Sequence, residues 1–406
     1  MDVTEHDVAV LGAGPAGSVT AAILARAGAD VVVLERERFP RFHLGESLAP
    51  ASLAVLAAHG LAEGLDARYL RKYGVRFLDC RTGREQRYDY TDAVAGDAAY
   101  AWQVPRADFD AALLAQARAA GAEVREGCAV EDVLFEQGRA TGVRGRRADG
   151  GREGVMARVI VDATGTDSLV ASRLGHRRPV AGVECTALSA HYRHVTRNTD
   201  DGEGDLDAVL FPHGWVWNIP FLGDVNSVGA VCSATWARAR SRGETPEAFF
   251  ERTLDDAPLA RAMVAPAARL TPVRTTAGYA HRAAARAGEG WCLVGDAGGF
   301  FDPIFCAGTH LAIAGAAELA ADLREALAGS GPVIAAQLAR STARIAGAMD
   351  LYQGLVQALH AGDLTDTLFD ARTRAARQPI AAVLAGEVFG DDPPWRAALR
   401  ARFPPR

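Results

Sequence analysis

The chain has 406 residues, 49% of them hydrophobic and 23% charged, which is close to globular averages and excludes a disordered, collagen-like or coiled-coil protein. Its formal charge of −6 includes no run of like charge long enough to follow a phosphate backbone, so nucleic acid is not an expected partner. Six scattered cysteines, no signal-peptide pattern and no apolar run of the roughly 20 residues a bilayer needs point to a reduced, cytoplasmic setting without a membrane span.

Residues 7–11 (DVAVL) read as a buried strand, GAGPAG as a turn, 18–27 as a small-residue helix and 30–35 as a second strand, together a βαβ unit. Residues 47–60 read as a helix, 72–80 and 86–90 as an antiparallel pair, and 107–120 as an amphipathic helix. Strands are expected at 123–128, 129–135 and 159–163. Long strands at 185–195, 208–220 and 226–233, with a stop at Pro220 and a turn at Gly223-Asp224, predict an antiparallel sheet inserted into the first domain. Residues 267–279 read as extended and 290–294 as a short strand. After Pro332 the chain reads helical, with 340–359 amphipathic.

Lysine is the compositional outlier, since Lys72 stands alone against 43 arginines. An ammonium is a compact donor that can lose its proton and react as an amine, whereas guanidinium stays charged. A lone lysine therefore marks a place where an amine is needed or where one survived by chance.

Gly12, Gly14 and Gly17, with Ala16 in the same turn, lie between a strand and a helix, where missing Cβ atoms let a pyrophosphate approach the helix N-terminus. Glu35 closes the second strand 18 residues after Gly17, placed to accept ribose hydroxyls, and Arg36 follows it. Gly295-Asp296, after the strand WCLV, resembles the second fingerprint of glutathione-reductase-like flavoproteins, whose Asp contacts the ribitol chain. In that family a basic residue lies near the phosphates, and Arg41 in FPRFHLGES and Arg106 in WQVPRADFD fit those places, with Ser47 and Gln103 in the same segments. FAD is the cofactor these matches imply.

GWVWNIP resembles the W-x-W-x-I-P signature of flavin-dependent halogenases, and period-2 spacing puts Trp215, Trp217 and Ile219 on one face of a strand that ends at Pro220. RFHLGES, RKYGVRF, AWQVPRADFD and GFFDPIFCAGTHLA resemble the corresponding segments of that family's pyrrole- and phenol-acting branch, over residues 5–320. The resemblance implies an α/β (α+β) fold: a Rossmann-type FAD-binding domain (1–75, 101–178 and 270–325), an antiparallel substrate sheet (76–100 and 179–269) and a helical C-terminal cap (326–406).

In such enzymes reduced FAD and molecular oxygen form a C4a-hydroperoxide, a halide attacks it, and hypohalous acid travels a tunnel to a lysine that positions the halogen. Lys72 in RKYGVRF falls at that lysine. Trp215, Trp217, Ile219 and Pro220 become the tunnel wall that shields the substrate. Ala307 and Gly308 become the halide site, where Phe305-Cys306-Ala307-Gly308 departs from the family's S-T-G by Cys306 and Ala307. Phe305 stands where tryptophan halogenases carry a glutamate, which disfavours free tryptophan. In VDATGTDS, Thr164 replaces the Asp through which related hydroxylases engage a pyridine nucleotide, so a separate flavin reductase is the implied partner.

The expected reaction is chlorination of a pyrrole or phenol, with chloride or bromide as co-substrate. The roughly 100 residues after Gly308 leave room for a carrier-protein-tethered substrate. Three other readings stay open at this point: an aromatic hydroxylase on the same fold, an isoprenoid-reductase-like flavoenzyme, and a flavin-binding scaffold without catalysis. His43, His191, His194, His213 and His310 show no metal-ligand spacing, so no metal is assigned. Cys306, without a partner cysteine, reads as a small buried residue.

Overall fold

The computed structural model describes residues 2–96, 99–198 and 202–406. Its first sheet is centred on the parallel strands Asp2–Leu11, Val31–Glu35 and Arg152–Asp162, with Trp291–Leu293 and Glu123–Glu126 at the flanks. Val31–Glu35 is buried along its whole length, as a strand covered on both faces must be. The helices Pro15–Arg26, Arg106–Ala119 and Ala307–Leu327 pack together on one side through small and aliphatic residues such as Ala22, Leu113 and Ile313.

The second sheet runs Ala268–Arg269, Cys185–Arg193, Val225–Ser233, Gly214–Pro220, Leu206–Phe211, Gly74–Asp79, Glu85–Asp89. All neighbours are antiparallel except Leu206–Phe211 and Gly74–Asp79. A small pair, Leu70–Lys72 with Ala101–Gln103, sets Lys72 opposite Ala101, and Ser47 bridges to Gln103.

Several boundaries differ from expectation. Residues 208–220 form a hairpin rather than one strand: Leu206–Phe211 and Gly214–Pro220 pair antiparallel around Pro212-His213. A Cβ on Gly214 would lie 1.8 Å from the Val231 carbonyl oxygen, so this hairpin requires glycine there. The expected helix at 47–60 spans Pro50–Ala58, because Ser47 is held in its bridge and Pro50 suits the first helical turn. Arg139–Arg147 forms an unanticipated hairpin with Cys128–Glu136. Helices Ala234–Arg240, Pro246–Asp255 and Pro258–Val264 follow the last long strand of the second sheet. They bury Phe249, Phe250 and Leu254 against that sheet's outer face.

In the C-terminal region Ala339–Ala361 packs on Ala307–Leu327, and the Tyr88 hydroxyl donates to the Leu368 carbonyl 2.8 Å away, tying this region to the second sheet. No helix among the described residues is long and apolar enough to cross a membrane. All six cysteines are free.

Candidate active site

A cavity of about 630 Å³ lies between the two sheets, lined by Gly12, Gly14 and Glu35 from the first and by Trp215, Trp217 and Ile219 from the second. Gly12 has φ +94°, and a Cβ there would lie 2.5 Å from the Ala163 oxygen. A Cβ on Gly17 would lie 1.9 Å from the Gly12 oxygen, so Gly17 lets helix and turn close on each other without itself lining the cavity. Gly14 caps helix Pro15–Arg26, which has no side-chain cap and no acidic residue in its first turn, leaving its N–H groups available to a phosphate. Ala16, in that turn, also lines the cavity.

The buried Glu35 carboxylate accepts from the backbone N–H of Ala13 at 2.7 Å and of Glu37 at 2.8 Å, and its remaining lone pairs can take ribose hydroxyls. Asp110 holds both expected phosphate-side arginines. Its oxygens accept from Arg106 at 2.7 and 2.9 Å and from Arg41 at 3.0 Å. Arg36 pairs with Asp167 at the exposed edge of the cavity. Burial lifts the Asp296 carboxyl to about 6, against the pull of the Arg106 charge. Glycine-built turn, uncapped helix, paired arginines and buried Asp296 together fit FAD.

Trp215, Trp217 and Ile219 share one strand face, with the two indoles 5.7 Å apart. Pro220 is buried but falls on the opposite face by strand alternation. Trp217 donates to the Ser227 hydroxyl at 3.1 Å, and Trp215 donates to Asp302 Oδ1 at the same distance. Asp302 also accepts from the Ile304 N–H, capping the turn Pro303–Phe305 that leads to Cys306.

Lys72 is fully buried, and its Nζ donates to Ser47 Oγ at 2.7 Å and to Cys306 Sγ at 3.7 Å, with the Tyr90 ring 5.4 Å away. Burial pushes its pKa down, partly opposed by Cys306 and Asp205. Ser47 and Cys306 line the cavity and Lys72 stands behind them. Gln103 does not line it either; its amide donates to the Gly204 carbonyl at 2.9 Å, supporting the lysine strand. Ala307 and Gly308 open helix Ala307–Leu327, which has no side-chain cap and no acid in its first turn, and Gly308 faces the cavity.

The histidines weighed from the sequence make ordinary contacts, such as His191 to Glu46 at 2.8 Å and His310 to Ser52 at 3.0 Å. The sequence reading did not weigh His360. Its Nε2 lies 2.9 Å from Asp302 Oδ2 and 3.9 Å from Cys185 Sγ, and the donor atoms of the three residues lie within 4.8 Å of one another.

The FAD binding domain family model matches residues 5–343. A flavin-dependent halogenase, armH3, of Armillaria mellea is 31% identical over 346 residues, covering 80% of this chain and 68% of that protein. The chain belongs to the flavin-dependent halogenase family. It is similar to a tryptophan 2-halogenase of Chondromyces crocatus (31% identity, 79% of this chain, 62% of that one). It is also similar to a 1H-pyrrole-2-carbonyl-(peptidyl-carrier protein) chlorinase of Pseudomonas fluorescens (29%, 80% and 76%). The solved structure of the flavin-dependent brominase Bmp2 superposes with a TM-score of 0.88 at 26% identity, covering 98% of both chains. The chain spans 62–65% of the length of the curated relatives it matches first.

Within this flavin-dependent halogenase fold, sequence reading missed Asp110 and Asp302. Asp110 lies four residues after Arg106 on a helix, the spacing of a helical ion pair, and Asp302 precedes a proline, a common capping pattern. Both signals were legible. His360 carried none.

Proposed function

We propose that this chain is an FADH2-dependent halogenase that chlorinates an electron-rich aromatic, a pyrrole or phenol, in specialised metabolite biosynthesis, with Lys72 positioning the electrophilic halogen. The observation that carries the reading is a buried amine held beside the uncapped helix start at Ala307, on a cavity walled by Trp215 and Trp217. FAD, when bound and reduced, supplies the electrons with which molecular oxygen is activated to oxidise a halide.

The first N–H groups of helix Ala307–Leu327 have no carbonyl partners within the helix, so those of Ala307 and Gly308 can hold the halide. Trp215, Trp217 and Ile219 keep the aromatic off the flavin while small species pass. Lys72 Nζ is held by Ser47 and Cys306, which line the cavity, so hypohalous acid that reaches those two residues comes to the amine that orients the halogen. An arginine there would present a charged fork in place of the amine.

Thr164 stands where related hydroxylases carry the Asp that engages a pyridine nucleotide, which supports delivery of reduced flavin by a separate flavin reductase. The likeness to the pyrrole-carrier chlorinase supports chloride as the halide and a carrier-protein-bound substrate. Mixing protein loaded with reduced FAD with oxygen and chloride, and no aromatic, should yield an oxidised halogen captured by an added activated-methylene trap. Hydrogen peroxide release that ignores halide contradicts the reading and favours aromatic hydroxylation.

A further inference from the structure

Cys306 places a thiol between the cavity and the amine that the proposed reaction uses. Its Sγ lies 3.7 Å from Lys72 Nζ, and Cys306 lines the cavity while Lys72 does not. An electrophile in the cavity therefore meets sulfur before nitrogen. Cys306 holds the left-handed conformation at φ +55° and its N–H donates to the Pro303 carbonyl at 3.0 Å, which fixes the backbone that carries the thiol. Lys72 is pinned from the other side by Ser47 at 2.7 Å.

We propose that Lys72 and Cys306 close a sulfur–nitrogen (sulfenamide) bond when electrophilic halogen meets them with no aromatic to consume it, giving a reversible off-state of the site. The thiol attacks hypohalous acid, forming S–X and releasing water. The Lys72 amine then displaces halide from sulfur, forming S–N and releasing HX. Sulfur is oxidised by two electrons, the halogen is reduced to halide, and the protein loses two hydrogens. A haloamine on Lys72 would reach the same bond, since the adjacent thiol would attack its nitrogen and expel halide. Two equivalents of a small thiol reverse the bond, leaving free thiol, free amine and a small-molecule disulfide.

Burial favours the neutral amine that the second step needs. Cys128 provides an internal contrast. It also borders the cavity, but its thiol donates to Glu153 at 2.7 Å, and burial with that carboxylate lifts its pKa to about 12. It is expected to stay reduced.

The inference rests on the proposed halogenation only for the source of the oxidant, so its test supplies that oxidant from outside. FAD-loaded protein is treated with one to two equivalents of hypochlorite, quenched with methionine and mapped by peptide mass spectrometry. The expected product is a cross-linked peptide two hydrogens lighter than the sum of the Lys72 and Cys306 peptides, depleted at least tenfold by dithiothreitol and absent from Cys306→Ser. Recovery of Cys306 as free thiol or as sulfinic and sulfonic acid, with the Lys72 peptide unlinked, overturns the proposal and leaves the halogenase reading standing. Conversely, the cross-link can form in a protein that fails the halogen-trap assay, so the two readings fail separately.

Discussion

His360 Nε2 lies 2.9 Å from Asp302 Oδ2, a largely buried ion pair that ties the C-terminal helical region to the wall of the cavity. The other Asp302 oxygen accepts from Trp215 and from the Ile304 N–H. One carboxylate thus sets the indole, the turn before Cys306 and the helix Ala339–Ala361 against one another.

The pair makes stability depend on pH. Burial opposes the charged ring, but hydrogen bonds and charge from Asp302 and Cys185 outweigh it and lift His360 to about 10. A group whose folded pKa exceeds its unfolded value of roughly 6.5 stabilises fully below that value and loses the contribution as pH rises through the folded one. His360→Gln is expected to lower stability by about 2–4 kcal/mol at pH 6, with the gap to the parent closing by pH 10. Denaturant titrations at both pH values check this, and a gap independent of pH contradicts it.

Trp215 separates shape from hydrogen bonding. Trp215→Phe keeps a ring but leaves Asp302 Oδ1 without the indole donor, and a loss of about 1–3 kcal/mol is expected. Trp217→Ala opens the wall. Halogenated product should fall and hydrogen peroxide or hydroxylated product should rise per flavin oxidised. An unchanged product ratio favours the aromatic hydroxylase.

Asp110 neutralises two arginines while itself fully buried. Asp110→Asn removes that charge from between them and is expected to destabilise the fold by about 3–5 kcal/mol. FAD affinity should fall with it, as read by quenching of flavin fluorescence.

Gly12→Ala forces a Cβ to within 2.5 Å of the Ala163 oxygen at φ +94°. FAD affinity is expected to drop at least tenfold in equilibrium titration. Unaltered affinity would place the dinucleotide elsewhere.

The nucleotide turn, the second FAD segment and the tryptophan strand were legible because each is written in adjacent residues whose local geometry the fold keeps. The hairpin around Pro212-His213 was not, since apolar runs continue on both sides of Pro212-His213-Gly214 and the turn lacks the Asn-Gly or Asp-Gly that marks a two-residue hairpin most strongly. The strand Arg139–Arg147 was hidden by its four arginines, of which Arg144 and Arg146 lie on its exposed side, alternating with the buried Val143 and Gly145. Helix Pro246–Asp255 carried its start signal openly: the Thr245 hydroxyl accepts from the Ala248 N–H at 3.2 Å, and Pro246 fills the first turn. Ser47 and Cys306 were visible as residues but not as neighbours of Lys72, because 234 positions separate Cys306 from the lysine. The Asp302–His360 pair spans 58 positions and exists only once the C-terminal helices dock.

The most direct test of the account compares the parent protein with Lys72→Met and Lys72→Arg, each loaded with FAD, in a coupled reaction containing a flavin reductase, chloride and an electron-rich pyrrole or phenol, free and carrier-bound. Both variants are expected to show parent-like FAD affinity and parent-like capture of oxidised halogen by the activated-methylene trap, with halogenated aromatic reduced at least a hundredfold. Halogenated aromatic at parental levels from Lys72→Met would contradict it.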